Sequence, residues 1–172
     1  MDQMQDKVVV ITGGSDGIGK ALVELYLNKG AKVATCGRNY QKLYQLQAAN
    51  TGKPLFIHAT DVSKEIDCKG FIDAVVKEFG TIDILINNAG VSMRTLVQDV
   101  DFETIKRVMD INFWGTVYCT KFALDHIIKN KGTGFVQRNC TGVGCGFRRI
   151  ACVKTLRFKF HNRKMGVELG LE

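Results

Sequence analysis

Thr12-Gly13-Gly14-Ser15-Asp16-Gly17-Ile18-Gly19 is the densest chemical signal in the chain. Glycines remove Cβ atoms, so the backbone can approach a pyrophosphate closely. A helix starting at such a turn offers unpaired N–H groups and the positive end of its dipole. The spacing is G-x-x-x-G-x-G, not the G-x-G-x-x-G of most dinucleotide-binding turns. Farther along, Thr35-Cys36-Gly37-Arg38-Asn39 sets one guanidinium, and no carboxylate, where a nucleotide ribose would lie. A carboxylate there hydrogen-bonds the ribose 2′-OH of NAD, whereas an Arg accepts the 2′-phosphate of NADP. The planar guanidinium suits a phosphate because it donates two parallel bonds. Arg38 therefore favours NADP(H) over NAD(H), and Asp16 counts mildly the other way.

These residues need elements to position them. Lys7-Val-Val-Val-Ile-Thr12 is a short β-branched run, followed at once by the glycine turn. Ala21, Leu22, Leu25 and Tyr26 then recur at helical spacing until Gly30, a plausible stop. Strands are expected near 31–36, 54–59 and 82–86, a polar helix over about 39–49 and an amphipathic one from Ile66 to Phe79. Phe102 to Ile128 reads as two helical stretches around Asn112. Continuous apolar strands alternating with amphipathic helices indicate a parallel sheet covered on both faces. With right-handed crossovers this is a doubly wound, Rossmann-like α/β fold. Asp61-Val62 and Asn87-Asn88-Ala89-Gly90 fall at the carboxyl ends of the third and fourth strands, where such a fold places its ligand. The strand–turn–helix order also weighs against glycines that serve packing alone.

Four motifs in this order resemble the short-chain dehydrogenase/reductase (SDR) family: Thr12…Gly19, Asp61-Val62, Asn87-Asn88-Ala89-Gly90 and Asp110-Ile111-Asn112. The resemblance covers residues 7–133. It implies that Gly13, Ser15, Gly17, Ile18 and Gly19 line the pyrophosphate and that Asp61 and Val62 contact the adenine. It further implies that Asn88, Ala89 and Gly90 flank the adenosine side, and that Asn112 holds a water linking a catalytic lysine to solvent. The implied reaction is hydride transfer between a nicotinamide cofactor and a small-molecule ketone or secondary alcohol.

The family's acid/base is a Tyr, with a Lys four residues later that lowers its pKa and a Ser that polarises the carbonyl. A phenol near pKa ~10 works at neutral pH only beside such a cation. Here the last Tyr is Tyr118, in the wrong helix, and no Ser follows Ser92. Aligning Lys154 with the family's Lys sets Ile150 in place of the phenol, with Asn139 near the Ser position. Lys154 and Asn112 are thus the remaining catalytic candidates; cofactor binding is expected to be weak or absent and carbonyl reduction near background. Residues 1–133 read as a dinucleotide-binding domain and 134–172 as its disrupted catalytic segment and incomplete end. Gln137 and Arg138 interrupt the expected fifth strand, and Met165 to Gly170 resembles the family's next helix. Against the family's pattern, later strands are expected to be lacking after residue 172, which would leave a sheet edge uncovered. Back-translated with free codon choice and shifted one base, Phe135–Thr141 can read S-S-S-x-I-A. Under the same shift Cys152–Phe158 can read A-S-K-x-F-A-L, close to the family's pattern. A compensated frameshift and a diverged pseudoenzyme, a non-catalytic dinucleotide-binding remnant, are the two accounts; sequencing codons 132–166 separates them.

Composition closes off other classes. The chain has 172 residues, 45% hydrophobic and 24% charged, which excludes collagen-like and largely disordered readings. Residues 1–131 carry 16 basic and 15 acidic side chains, while residues 132–172 carry 8 and 2, so the net +7 sits mostly in the last quarter. No recognised nucleic-acid motif accompanies those basic residues, so no nucleic-acid partner is expected. No apolar run is long enough for a membrane span, and the polar start Met1–Asp6 is no secretory signal, so the expected compartment is the cytoplasm. Cys36, Cys68, Cys119, Cys140, Cys145 and Cys152 contain no C-x-x-C pair and read as reduced, mostly buried thiols rather than metal ligands. A complete fold of this type would be a candidate for homo-oligomerisation.

Overall fold

The computed structural model describes residues 4–93, 96–130, 135–137, 155–161 and 164–169. The β-branched run forms β1 (Val8–Thr12), and the residues after the glycine turn form α1 (Gly17–Asn28). There follow β2 (Lys32–Gly37), α2 (Tyr40–Ala49), β3 (Leu55–Ala59), α3 (Glu65–Phe79) and β4 (Ile84–Ile86). Next come α4 (Phe102–Met109), α5 (Gly115–Lys129), β5 (Phe135–Gln137), β6 (Thr155–His161) and β7 (Lys164–Leu169). One sheet joins the strands in the order β3-β2-β1-β4-β5-β6-β7. β3, β2, β1, β4 and β5 run parallel, with Val9 beside both Val33 and Ile84.

β1 is apolar throughout because both of its faces are covered. Val8 and Val10 pack on one side with Phe71, Ile72 and Val75 of α3 and Cys119, Ala123 and Ile127 of α5. Val9 and Ile11 pack on the other side with Val23 and Leu27 of α1 and Leu46 of α2. Each such Val or Ile contributes roughly 1.5–3 kcal/mol on full burial, so β1 anchors both layers. At the amino end of the sheet the buried Asp83 carboxylate accepts from Lys7 Nζ at 2.9 Å, Val8 N at 2.9 Å and Asn130 Nδ2 at 2.7 Å. That clasp ties the starts of β1 and β4 to the end of α5.

Three expectations change. The two helical stretches around Asn112 do form, but they are joined by a π-helical turn over Asp110–Trp114. Such turns insert an extra residue into the ladder and are frequent at functional sites. The stretch Met165 to Gly170, expected to be helical, instead contributes to strand β7, antiparallel to β6 with His161 opposite Lys164. The physical reason lies in period 2: Leu156, Phe158 and Phe160 alternate with Arg157, Lys159 and His161, the pattern of a strand. The fifth strand is present for three residues, with Phe135 beside Ile86, and β6 pairs antiparallel to it. The sheet therefore does not end at β5, and the doubly wound parallel part carries an antiparallel pair on one side.

Candidate functional site

The glycine turn is fixed by bonds from both neighbouring strands. Gly13 N and Gly14 N both donate to Cys36 O, at 2.9 and 3.2 Å, pinning the turn to the end of β2. From the β4 side, Asn88 N and Ala89 N each donate to Thr12 Oγ1 at 3.0 Å. The Asn88 amide Nδ2 donates back to Thr12 O at 3.0 Å and Gly13 O at 3.1 Å. Thr12 and Asn88 are thus a reciprocal knot that locks the carboxyl ends of β1 and β4 together. A side chain at Gly19 has no room, since its Cβ would overlap Gly13 O and Asn88 Nδ2. Gly17 is the opposite case. Its φ is +52°, a conformation that L side chains rarely adopt, and a Cβ there would meet nothing within 4 Å.

That open space belongs to a crevice of about 470 Å³ at the carboxyl ends of the strands. Gly13, Ser15, Gly17, Ile18 and Gly19 form one wall, Arg38, Asp61 and Val62 another, and Asn88, Ala89 and Gly90 a third. Every residue singled out for the cofactor therefore meets in one place. Asp16 heads α1, where its Oδ1 accepts from Gly17 N at 2.8 Å. The bond from Lys42 Nζ and the Gly17 N–H hold its carboxyl below the ordinary range. Partial burial would raise the Asp61 carboxyl, but the Ser63 hydroxyl and amide bonds, with the Arg38 and Lys64 charges, together hold it low. Asp61 therefore stays ionised beside the guanidinium of Arg38.

Asn112 does not line the crevice; its side chain clamps the irregular segment that follows β4. Val91 N donates to Asn112 Oδ1 at 2.9 Å, and Asn112 Nδ2 donates to Val91 O at 2.8 Å. This pair mimics a strand ladder and seats the π-helical turn against the Gly90–Val91 wall. Lys154, Asn139 and Ile150 lie outside the described residues, as do Cys140, Cys145 and Cys152. Cys36, Cys68 and Cys119 are buried free thiols. Burial pushes the Cys36 thiol up to about 12. Among the described residues no group of His, Cys, Asp or Glu is placed to hold a metal ion.

The sequence reading missed Thr12 as the hub of the knot, and Gly37, Thr60, Val91 and Ile111 as further crevice walls. A Thr closing an otherwise apolar strand was the available signal for Thr12. It also missed the ion pair of Asp16 with Lys42, at 2.6 Å. Twenty-six residues separate the two, and nothing local links them.

The residues gathered here fit a dinucleotide on structural grounds alone. A glycine-walled space opens at a helix N-terminus, with a cationic side chain and a ring of small residues at parallel strand ends. The short chain dehydrogenase family model matches residues 7–137. An 11-beta-hydroxysteroid dehydrogenase A of Arachis hypogaea is 40% identical over 135 residues, 76% of this chain and 39% of the relative. An 11-beta-hydroxysteroid dehydrogenase-like 2 of Arabidopsis thaliana is 40% identical over 148 residues, covering 83% of this chain and 47% of its own length. The chain thus spans less than half the length of these curated relatives. Among solved structures, an alcohol dehydrogenase from the archaeon Thermococcus sibiricus, complexed with 5-hydroxy-NADP, superposes with a TM-score of 0.76 at 26% identity. That match covers 83% of this chain and 63% of the other. A 3-ketoacyl-(acyl-carrier-protein) reductase from Brucella melitensis, complexed with NADH, gives a TM-score of 0.71 at 29% identity over 74% of this chain and 53% of that one. The chain belongs to the short-chain dehydrogenase family.

Proposed function

We propose, on the premise of that membership, that the crevice binds NADP(H) in preference to NAD(H), as part of an oxidoreductase acting on a ketone or secondary alcohol. The observation that carries this reading is the meeting of the Gly13–Gly19 turn and Arg38 on one crevice, with no carboxylate at the end of β2. The bound nicotinamide supplies or accepts the hydride; the protein supplies position and electrostatics. Gly17 and Gly19 let the turn approach a pyrophosphate, and the start of α1 supplies its N–H donors. Arg38 pairs with the extra phosphate, and Asp61 and Val62 border the base. The substrate class stays at ketone or secondary alcohol, because the similarity to the plant hydroxysteroid dehydrogenases falls mainly on the nucleotide-binding part. Among the described residues no helix is long and apolar enough to cross a membrane. A cytoplasmic location fits this reading.

We further propose that this chain is catalytically impaired. Hydride transfer to a carbonyl leaves an alkoxide that needs a proton, and losing a positioned acid costs about 10²–10⁴-fold in rate. Isoleucine at 150 carries no proton, and Lys154 without its Tyr has no phenol to serve. A non-catalytic dinucleotide-binding protein is the second reading, favoured by the same Ile150. Fluorescence titration with NADPH and NADH tests the cofactor, alongside a carbonyl-reduction assay. Arg38→Asp is expected to reverse the preference toward NADH. Unchanged affinity for both cofactors would sink the assignment, and robust turnover would sink the impairment.

A further inference from the structure

A 2′-phosphate held at Arg38 faces an obstacle in this chain's own sequence, because Asp16 lines the same crevice. The two side chains arise from adjoining backbone. Gly37, next to Arg38, lies against Ser15, next to Asp16: a Cβ on Gly37 would stand 3.1 Å from Ser15 Oγ. The Asp16 carboxylate is held in place by its cap, with Oδ1 accepting from Gly17 N at 2.8 Å. Left alone, it would set a full negative charge beside a phosphate dianion.

It is not left alone. Lys42 Nζ donates to the other oxygen, Oδ2, at 2.6 Å. Lys42 stands in the first turn of α2, and that turn is itself fixed, since Lys42 N donates to Asn39 Oδ1 at 3.0 Å. Asp16, Lys42 and Gln45 also border a smaller hollow of about 210 Å³, which shares Ser15 and Asp16 with the main crevice. Of the remaining nearby charges, Lys20 also attracts the Asp16 carboxylate, but more weakly than Lys42 and without a hydrogen bond to it. Lys20 lies 3.9 Å from Glu24, and Asp61 interacts with Arg38.

We propose that Lys42 is a specificity-determining residue. By neutralising Asp16 it removes one of the like charges, beside that of Asp61, that would repel a 2′-phosphate at Arg38. The proposal rests on the NADP(H) reading above. Both partners are well exposed, so the pair adds little to folding stability. Its consequence falls on discrimination between ligands that differ by one phosphate. Water screens the interaction, so the effect is modest and salt-dependent.

The test titrates NADPH and NADH against the wild type, Lys42→Met, Asp16→Asn and the double variant, by fluorescence at low ionic strength. Asn caps a helix about as well as Asp, and Met keeps the stem of Lys, so all four chains are expected to fold. Lys42→Met should weaken NADPH by about three- to tenfold and NADH by less than twofold. Asp16→Asn should bind NADPH at least as well as wild type, and the double variant should recover that affinity. The Lys42→Met effect should shrink at 0.5 M salt, a screening condition set by roughly a 4 Å Debye length. A loss that persists undiminished in the Asp16→Asn background would mean that Lys42 acts on the phosphate itself. An equal loss for NADH would mean that it acts on the fold. Either result overturns the proposal while leaving the NADP(H) reading intact. An Arg38→Asp chain with unchanged affinities overturns that reading, and this proposal with it.

Discussion

Thr12→Val would replace one side chain by another of nearly the same shape and delete a single oxygen. In the wild type that oxygen is 2% exposed with its residue and accepts two backbone N–H groups, from Asn88 and Ala89, each at 3.0 Å. Deleting an acceptor strands its donors, and each donor left buried costs about 1–3 kcal/mol. Asn88 is buried and incurs that cost in full; Ala89 is half-buried, so water relieves part of its share. The expected total is about 2–4 kcal/mol. For a chain of this size each kcal/mol moves Tm by ~2–4 °C, so the loss is roughly 5–15 °C. Thr12→Ser supplies the control: it keeps the oxygen and loses one methyl, about 1 kcal/mol. Urea unfolding with thermal melting reads both variants. The cofactor titration should follow the same order, because the knot also fixes the turn through the bonds from Asn88 to Thr12 O and Gly13 O. A Val variant as stable as wild type, beside a Ser variant that is less stable, would refute the claim that the hydroxyl carries this junction.

Two more outcomes follow from the titrating groups. Asp16, Asp61 and Asp101, the last capping α4 and accepting from Thr104 N at 2.6 Å and Thr104 Oγ1 at 3.0 Å, all have carboxyls held below the ordinary value of 3.8, so each stabilises the fold fully above that value and loses the contribution as pH falls through its lower folded value. Stability measured by urea midpoint should therefore be flat from about pH 5 upward on their account and decline below about pH 4; a carboxylate-dependent rise on acidification would contradict the assignment. Cys36, Cys68 and Cys119 are buried thiols, with Cys36 pushed up to about 12 by burial and Cys119 raised by its bond with Cys68 and by burial. Iodoacetamide at neutral pH followed by peptide mapping should leave these three unlabelled in the folded chain and label them in urea; fast native labelling would mean that the core opens.

What was readable in the sequence was whatever has a local cause. Val8 to Ile11 read as a buried strand because four apolar residues in a row need cover on both faces. The glycine turn read as a ligand cradle because a strand and a helix flank it. Contacts between distant residues were not readable in this way. The Thr12–Asn88 knot joins positions 76 apart, and the bond of Asn112 to Val91 needs the π-helical turn to bring them together. The Lys42–Asp16 pair depends on β2 lying beside β1. Family resemblance even displaced a local signal: the stretch after Lys164 read as a helix by analogy, although the chain from Leu156 to Phe160 alternates like a strand and the residues that follow complete its hairpin.

The proposed division between binding and chemistry would have a structural cause. The bonds that shape the crevice run among Thr12, Gly13, Gly14, Cys36, Asn88, Ala89, Val91 and Asn112. None of these bonds uses a residue beyond 130, and the two apolar layers beneath them are built from β1 to β4 with α1, α2, α3 and α5. A change confined to the segment around residues 134–164 therefore takes in the positions aligned with the family's Tyr and Ser while touching none of these bonds among the described residues. A short-chain dehydrogenase altered in that segment should lose proton transfer first and nucleotide affinity only through weakened support from β5. Binding should then survive in the absence of turnover, and the two assays proposed for this chain separate those quantities.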